Sequence, residues 1–158
     1  MELIKLESLT LTDFNKENKE ELEFSKKLIF DESIKKWFSG IFSYLSNSHH
    51  YDFFGRGFLI KDNDIYVGYI GIGEFNENEK SVYLKAAIDK DKRGHSYGKR
   101  ILSEITDYIF TNHGYVENIR LKIDSNNTAS LKTAETCGYK WFRDDFYIMY
   151  NPNIKRKY

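Results

Sequence analysis

Cysteine, proline and net charge are almost missing from this 158-residue sequence, which has one Cys, one Pro and 24 basic residues against 24 acidic ones. The single cysteine, Cys137, excludes an intramolecular disulfide and a cysteine-only metal site. The charge balance argues against a nucleic-acid or membrane-surface binder that acts through the net charge of the whole molecule, and it leaves a local charged patch open. No apolar run approaches the roughly 18 residues of a membrane span, and the acid-bearing N-terminus is unlike a secretory signal. We therefore expect a cytoplasmic protein.

The remaining composition predicts one packed domain. Hydrophobic residues make up 41% of the chain, aromatic residues 16% and charged residues 30%, which excludes a disordered chain. No linker rich in Ser or Gly and no internal repeat divides the sequence, and Pro152 lies near its end. We expect a single domain over residues 1–158.

Hydrophobic periodicity in the first third predicts a strand and then helix. Alternation from Leu3 indicates a first strand that ends near Thr10, and spacings of three and four indicate helix between Asn15 and Ser46. The apolar face of that helical segment contains Ile34, Trp37, Phe38, Ile41, Phe42 and Leu45. We interpret this face as part of the core.

The rest of the chain predicts a meander followed by alternating helices and strands. Three strands are expected between Phe58 and Ile88, because alternating residues flank two polar turns. A helix at 99–112, a strand at 119–123, a short helix that ends at Gly138 and strand material at 141–150 follow. This order predicts an α+β, or mixed α/β, domain with one twisted mixed sheet flanked by helices.

The segment 88–99 is expected to bind an anion. A strand ends there, a loop with Gly94 and Gly98 follows, and a helix begins at once. The first N–H groups of a helix have no intrahelical acceptor, and the helix dipole adds positive potential. Glycines let the backbone approach the anion closely, and Arg93, Lys99 and Arg100 add positive charge.

Two common nucleotide motifs do not account for this loop. A P-loop needs four residues between its first glycine and a Gly-Lys pair followed by Ser or Thr, whereas three residues separate Gly94 from Gly98 and Arg100 follows Lys99. The dinucleotide fingerprint fails as well, because the glycines at 68, 71 and 73 have the wrong order and lie within a strand pattern.

The loop resembles the pyrophosphate loop of the GCN5-related N-acetyltransferase (GNAT) family, whose signature is Gln/Arg-x-x-Gly-x-Gly/Ala. Arg93, Ser96 and Gly98 occupy those positions, with Ser in place of the first glycine. A non-glycine residue there needs a negative φ or some strain. A second stretch, from Asn127 to Tyr139, resembles the family's following strand, helix and Gly-aromatic pair, in which the Asn contacts the pantetheine arm.

The resemblance implies acetyl-coenzyme A (acetyl-CoA) as co-substrate, no metal, and a defined set of binding residues. The acceptor would be a small-molecule amine or a protein N-terminus, without nucleic acid or membrane partners, and a homodimer is a family-level expectation. The implied cofactor-binding residues are Ala86, Ala87, Ile88, Arg93, Gly94, His95, Ser96, Tyr97, Gly98, Lys99, Asn127 and Ser130. For Asn127, helix capping is the alternative.

The resemblance leaves the general acid and the general base open. Many members have a Tyr seven residues after the Asn, but Ala134 stands there, which is closer to the ribosomal-protein N-terminal acetyltransferase branch. The strand that often supplies a Glu base contains none, so Glu74 is the substitute candidate and Tyr83 the second, and an ordered water, with neither residue essential, is an equal alternative to both. A backbone N–H near Ala87 and Ile88 would stabilise the thioester oxygen.

Other features are given structural interpretations. His49 and His50 are expected to be solvated loop residues, and Cys137 a buried apolar residue. The aromatic run Trp37, Phe38, Phe42, Tyr44, Tyr51, Phe53 and Phe54 is expected to be mainly core, with part of it next to an acceptor ammonium. The alternatives to an N-acetyltransferase are a catalytically silent CoA-binding module, a transferase of another acyl group, and an unrelated anion-binding domain.

Overall fold

A computed structural model describes residues 3–13, 17–32 and 53–154. The predicted apolar helix face at 34–45, the pair His49 and His50 and most of the aromatic run lie outside these residues. Phe53 and Phe54 are described, and both pack against the main core cluster, as expected.

Eight strands and three α-helices make up the described part of the chain. The strands are β1 (Leu3–Lys5), β2 (Thr10–Asp13), β3 (Arg56–Asp62), β4 (Ile65–Ile72), β5 (Ser81–Ile88), β6 (Asn118–Lys122), β7 (Lys140–Arg143) and β8 (Phe146–Tyr150). The helices are α1 (Lys19–Phe30), α2 (Tyr97–Asn112) and α3 (Thr128–Thr136), with a 3₁₀ turn at Lys90–Lys92.

The strands form one sheet in the order β1-β2-β3-β4-β5-β6-β8-β7. All neighbours are antiparallel except β5 and β6, which run parallel and are joined by the crossover helix α2. The predicted mixed sheet in a single α+β domain is therefore confirmed. None of the described helices is long and apolar enough to cross a membrane.

Helices cover both faces of the sheet. On one face, Ile101, Ile105 and Ile109 of α2 are fully buried in a large core cluster with Val82 and Leu84 of β5. Their spacing of four residues keeps them on one side of the helix. On the other face, Leu28 of α1 packs in a smaller cluster with residues of β3, β4 and β5, namely Leu59, Tyr66, Tyr69 and Ala87.

Three element predictions need correction. The first predicted strand is a hairpin of β1 and β2, because the buried Glu104 carboxylate accepts hydrogen bonds from the Ser8 and Leu9 amides and so holds a turn between them. The helix predicted from Asn15 begins after the cap Asn18 and ends at Phe30, where Asp31 is extended. The last strand is likewise a hairpin of β7 and β8.

Candidate active site

Strands β5 and β6 stop pairing before β5 ends. Their parallel register runs from Ser81 and Asn118 to Leu84 and Leu121, whereas β5 continues beside β4 as far as Ile88. Residues 85–88 therefore extend past the paired part of β6. This leaves an opening between two neighbouring strands, at the end of the sheet where the loop 89–96 begins.

Alternation of hydrogen bonds decides which β5 amides face this opening. The Asp89 amide donates to the Val67 carbonyl at 2.9 Å, so the Ala87 amide, two residues earlier, also faces β4. The amides of Ala86 and Ile88 then face the side of β6. Of the two residues predicted to stabilise a thioester oxygen, Ile88 is oriented for it, and the Ala87 amide is directed towards β4.

The loop after β5 presents six consecutive backbone N–H groups without an acceptor. The Arg93 amide bonds to Lys90 and the Arg100 amide to Ser96, but within the described part of the chain the amides of residues 94–99 have no acceptor. All six residues are exposed or half-buried. Unpaired N–H groups and the N-terminal end of a 16-residue helix, α2, create positive potential without any side chain.

Gly94 and Gly98 differ in why they are glycines. Gly94 has φ +83°, a left-handed conformation that favours glycine, and the space around its Cβ position is open. Gly98 lies in the first turn of α2, and a Cβ there would meet only Thr133 Cγ2 at 3.9 Å. Because no contact among the described residues requires glycine at 98, that space is suited to a bound group.

Ser96, which replaces the family glycine, is in the left-handed region with φ 64° and ψ 18°. Of the two outcomes considered from the sequence, the strained one is observed. The Ser96 side chain makes no capping hydrogen bond that would offset the strain. A left-handed conformation costs a non-glycine residue roughly 1–2 kcal/mol, so this loop stores strain beside the unpaired amides.

The Ser96→Gly substitution is expected to stabilise the protein by about 1 kcal/mol, because glycine adopts the left-handed conformation without a Cβ clash. Thermal unfolding would measure this as a rise in Tm of roughly 2–4 °C. Ser103→Gly is the matched control, since Ser103 is an exposed residue within α2. The Ser103→Gly control should lower the free energy of unfolding by about 0.5 kcal/mol, because glycine disfavours helix. Equal destabilisation by both substitutions would contradict a strained Ser96.

Salt bridges attach the last turn of α1 to this loop. Lys27 Nζ lies 2.9 Å from Asp89 Oδ2 and 2.6 Å from Asp91 Oδ2. The hydrogen bonds that Lys27 donates to Asp91 and Asp89 raise the pKa of its ammonium group. Just after the end of α1, Asp31 Oδ2 lies 3.6 Å from Arg93 Nη2, and Arg93 Nε donates to the Ile88 carbonyl at 3.2 Å. Both ends of the 3₁₀ turn are thus fixed.

The remaining basic residues of the loop differ in their partners. The Arg100 guanidinium is 3.3 Å from Asp62 Oδ2, and the Tyr97 hydroxyl donates to the same oxygen at 2.7 Å. These two hydrogen bonds hold the pKa of Asp62 below its usual value. The charge of Arg100 is therefore paired with Asp62, as the charge of Arg93 is paired with Asp31. The exposed Lys99 and His95 have no such partner in the described residues.

Asn127 serves as the cap of α3, which was the alternative considered from the sequence. Its Oδ1 accepts from the Ser130 amide at 3.3 Å. Its Nδ2 has no acceptor among the described residues, and the residue is half-buried. One Asn127 side chain can therefore cap the helix through oxygen and donate to a ligand through nitrogen. The Ser130 hydroxyl is likewise without a partner in the same described residues.

Ala134 and Cys137 differ in burial, and Cys137, which was expected to be buried, is only half-buried. Ala134 is fully buried in the main core cluster, so its helix position supplies no acid. Cys137 follows α3 and is half-buried, and its thiol donates a weak hydrogen bond to the Lys99 carbonyl at 3.6 Å. Burial raises the pKa of this thiol, which disfavours the nucleophilic thiolate.

The two candidate bases lie at the other end of β5 from the loop. Glu74 is exposed and follows β4, with its Cγ 3.1 Å from the position of a Cβ at Gly55. Tyr83 is half-buried on β5, and its ring contacts Phe146 edge to face at a centroid distance of 5.9 Å. Continuing the β4–β5 register places Glu74 opposite Val82, roughly 20 Å along the strand from Ile88.

Sequence reasoning missed Lys27, Asp31 and Asp62, which hold the loop and the start of α2 from distant elements. They belong to no motif, because each acts through a contact across 35 to 64 positions of the chain. The sequence signal for these contacts is the charged run with Asp89, Asp91 and Arg93, whose carboxylates need a basic partner and whose guanidinium needs an acidic one. No group of three His, Cys, Asp or Glu side chains could hold a metal within the described ranges.

Comparisons with known proteins place this geometry in a family. Residues 6–140 match the family model described as the acetyltransferase (GNAT) domain. No curated protein sequence matches the chain significantly. Among solved structures, an acetyltransferase of the GNAT family from Bacillus anthracis is similar with a TM-score of 0.76 and 16% identity, covering 95% of this chain and 99% of that one.

Two further solved structures have related folds. A candidate ribosomal-protein-serine acetyltransferase from Vibrio cholerae has a TM-score of 0.72 and 18% identity, covering 94% of this chain and 97% of that one. Spermidine N-acetyltransferase from the same organism, in complex with CoA and spermine, has a TM-score of 0.71 and 19% identity, covering 91% and 96%. At these identities the likeness shows the shared fold.

Proposed function

The chain belongs to the GNAT acetyltransferase family, and on that premise we propose that it transfers an acetyl group from acetyl-CoA to a primary amine of a small molecule or of a protein N-terminus. The run of six unpaired amides from Gly94 to Lys99, beside the open space at Gly98, carries this proposal. A diphosphate offers several acceptor oxygens and negative charge, which such a site complements.

The described residues fit the other parts of acetyl-CoA as well. The opening beyond Leu84 and Leu121 suits an extended arm that accepts backbone hydrogen bonds from β5, and Asn127 Nδ2 is an additional donor. The bound thioester supplies an activated acetyl group, so the protein's main tasks are to hold it and to orient the amine. Orientation of two reactants can supply about 7–11 kcal/mol of the barrier.

The chain's own residues would also stabilise charge and remove a proton. The Ile88 amide is oriented to donate to an oxygen that becomes negative, which lowers the barrier most where water is excluded. An alkyl amine with a pKa of ~10 must lose a proton before it attacks, at a cost of about 4 kcal/mol at pH 7. We assign the final acceptor of this proton to Glu74, reached through ordered water because Glu74 lies roughly 20 Å along the strand from Ile88. Tyr83, or ordered water with neither residue, is the alternative.

Acetyl-CoA should therefore stabilise the protein against heat, whereas ATP and NAD should not, because they lack the pantetheine arm. Release of free thiol with a panel of amines would then distinguish an acetyltransferase from a silent CoA-binding module. Comparison of acetyl-CoA with longer acyl-CoA donors tests the alternative of a transferase of another acyl group. Stabilisation by ATP alone would contradict the proposed function.

The acceptors of the structural neighbours define the first panel. One neighbour is a spermidine N-acetyltransferase and another a candidate ribosomal-protein-serine acetyltransferase, so polyamines and peptide N-termini are both to be tried. The relation to the ribosomal-protein branch, the cytoplasmic location and the homodimer stay predictions.

Lys27→Ala is expected to weaken acetyl-CoA binding about tenfold, although Lys27 is not expected to contact the ligand. Its ammonium compensates Asp89 and Asp91, whose carboxylates would otherwise repel the diphosphate a few residues away. Calorimetric titration would measure the loss, which should shrink at high salt. Lys26→Ala is the control, since Lys26 is an exposed neighbour on the same helix.

A second variant distinguishes this electrostatic role from a structural one. Adding Asp91→Asn to Lys27→Ala removes one of the two carboxylate charges that Lys27 no longer compensates, so part of the affinity should return. Acetyl-pantetheine, which lacks the diphosphate, should bind equally well to the parent protein and to Lys27→Ala. A loss of affinity that is the same for both donors would instead indicate that the loop has lost its structure.

A further inference from the structure

Strand register gathers five basic side chains on one face of the sheet. Lys122 of β6 lies opposite Phe146 of β8, which lies opposite Arg143 of β7, and Lys85 of β5 is one position beyond the last β5–β6 pair. A second row passes through Arg120, opposite Tyr83 and Ile148, and ends at Lys140. The basic face consists of Lys85, Arg120, Lys122, Lys140 and Arg143.

Side-chain contacts show that these residues share a face. The guanidinium carbons of Arg120 and Arg143 lie 5.0 Å and 5.3 Å from the ring centroid of Phe142, and that of Arg143 lies 5.8 Å from Phe146. The Phe146 ring in turn contacts Tyr83. This is the face on which α1 packs, and the described contacts of α1 are with β3, β4 and Ala87 of β5 and do not reach the basic rows.

The described residues compensate only one of these five charges. Arg120 Nη1 lies 2.5 Å from Glu79 Oε2. Lys85, Lys122, Lys140 and Arg143 are exposed and have no ion pair with any described residue. Like charges on neighbouring strands repel one another, so the fold maintains an unfavourable cluster where acidic residues would relieve it. An anion from outside the chain would relieve the same repulsion.

The cluster adjoins the opening where the acetyl group is proposed to lie. Lys85 immediately precedes Ala86, whose amide faces that opening, and Lys122 is the last residue of β6. The two lysines therefore border the point where the strands separate. An amine that attacks from the α1 face has to pass beside them.

We propose that the acceptor carries an anionic group, a carboxylate or a phosphate, close to the amine that is acetylated, and that the basic face binds this group. The inference rests on the proposed function and specifies its substrate class. An exposed ion pair contributes up to about 1 kcal/mol, so two or three together favour an anionic acceptor by about tenfold or more. Polycationic amines are disfavoured by the same charges.

Acceptors that differ only in charge test this directly. Ala-Glu-Glu-Ala, Ala-Gln-Gln-Ala and Ala-Lys-Lys-Ala share one N-terminal amine, glucosamine 6-phosphate and glucosamine differ by a phosphate, and spermidine is a polycation. Thiol release at low salt should give kcat/KM values about tenfold higher for the acidic peptide or the phosphosugar than for its neutral counterpart. Which pair shows the preference distinguishes a peptide carboxylate from a small-molecule phosphate.

Charge reversal on the basic face should remove this preference. Lys122→Glu and Lys85→Glu are expected to raise KM for the anionic acceptor about tenfold, with kcat changed much less, and to improve use of Ala-Lys-Lys-Ala. Lys5→Glu is the matched control, because Lys5 is an exposed lysine on β1 at the opposite edge of the sheet. The preference in the parent protein should also decline with added salt.

Binding of acetylated peptides in the presence of CoA provides a second readout. N-acetyl-Ala-Glu-Glu-Ala should bind more tightly than its Gln counterpart, and Lys122→Glu should abolish the difference. Equal use of the charged and neutral acceptors, or a preference for spermidine, overturns the proposed anionic acceptor while leaving the acetyltransferase intact. Failure of acetyl-CoA to bind at all overturns the proposed function itself.

Discussion

Gly98→Glu should weaken acetyl-CoA binding by on the order of 100-fold or more, because it directs a carboxylate into the space that faces the diphosphate. A Cβ at this position meets only Thr133 Cγ2 at 3.9 Å, so the substitution fits the folded chain. Isothermal titration with acetyl-CoA measures the loss directly, and unfolding curves confirm that the variant is folded. Unchanged affinity in the folded variant would contradict the assignment of the loop.

Two companion variants separate the binding effect from effects on folding. Gly114→Glu places the same carboxylate at an exposed glycine with open space around its Cβ position, and it should bind acetyl-CoA normally. Gly98→Ala should raise stability by up to about 1 kcal/mol, because alanine favours helix over glycine. It should nevertheless lower acetyl-CoA affinity, since its methyl group occupies the space needed by the ligand.

Glu74→Gln should lower kcat at pH 7 by about 100-fold, the lower end of what a general base contributes. Without the base, the rate depends on the fraction of amine that is already deprotonated. It should therefore rise about tenfold per pH unit towards the amine pKa of ~10, and the parent and variant profiles should converge at high pH. Initial rates measured across pH 6–9 test this.

Two other variants show whether the loss of rate comes from Glu74 itself. Glu77→Gln changes an exposed acid in the same β4–β5 turn and should leave the profile unchanged. Tyr83→Phe removes the second candidate and should have a small effect. If Tyr83→Phe produces the loss while Glu74→Gln does not, the base is Tyr83. Normal profiles for both variants would assign proton removal to ordered water.

The fold could be predicted where side-chain periodicity is strong. The alternation of Val82, Leu84 and the residues around them predicted β5, and the spacing of the isoleucines predicted the buried face of α2. The hairpins were harder, because their tight turns depend on distant groups. The β1–β2 turn is held by the Glu104 carboxylate, 95 positions along the chain from Leu9, and no local pattern reveals such a contact.

The candidate site could be predicted to the extent that it is made of backbone. Glycine spacing after a strand located the unpaired amides of residues 94–99, since that property follows from chain geometry alone. The left-handed Ser96 was anticipated as one of two outcomes, and the cap formed by Asn127 as an alternative to ligand binding. The compensation of Asp89 and Asp91 by Lys27 required the tertiary structure.

The measurement that most directly tests the central claim is a titration of the ¹⁵N-labelled protein with CoA, followed by its backbone amide resonances. The resonances of residues 94–99 should shift in proportion to CoA bound, whereas pantetheine, which has no diphosphate, should leave most of them in place. Shifts confined to other parts of the chain, or equal shifts with pantetheine, would contradict the claim that these amides bind the diphosphate.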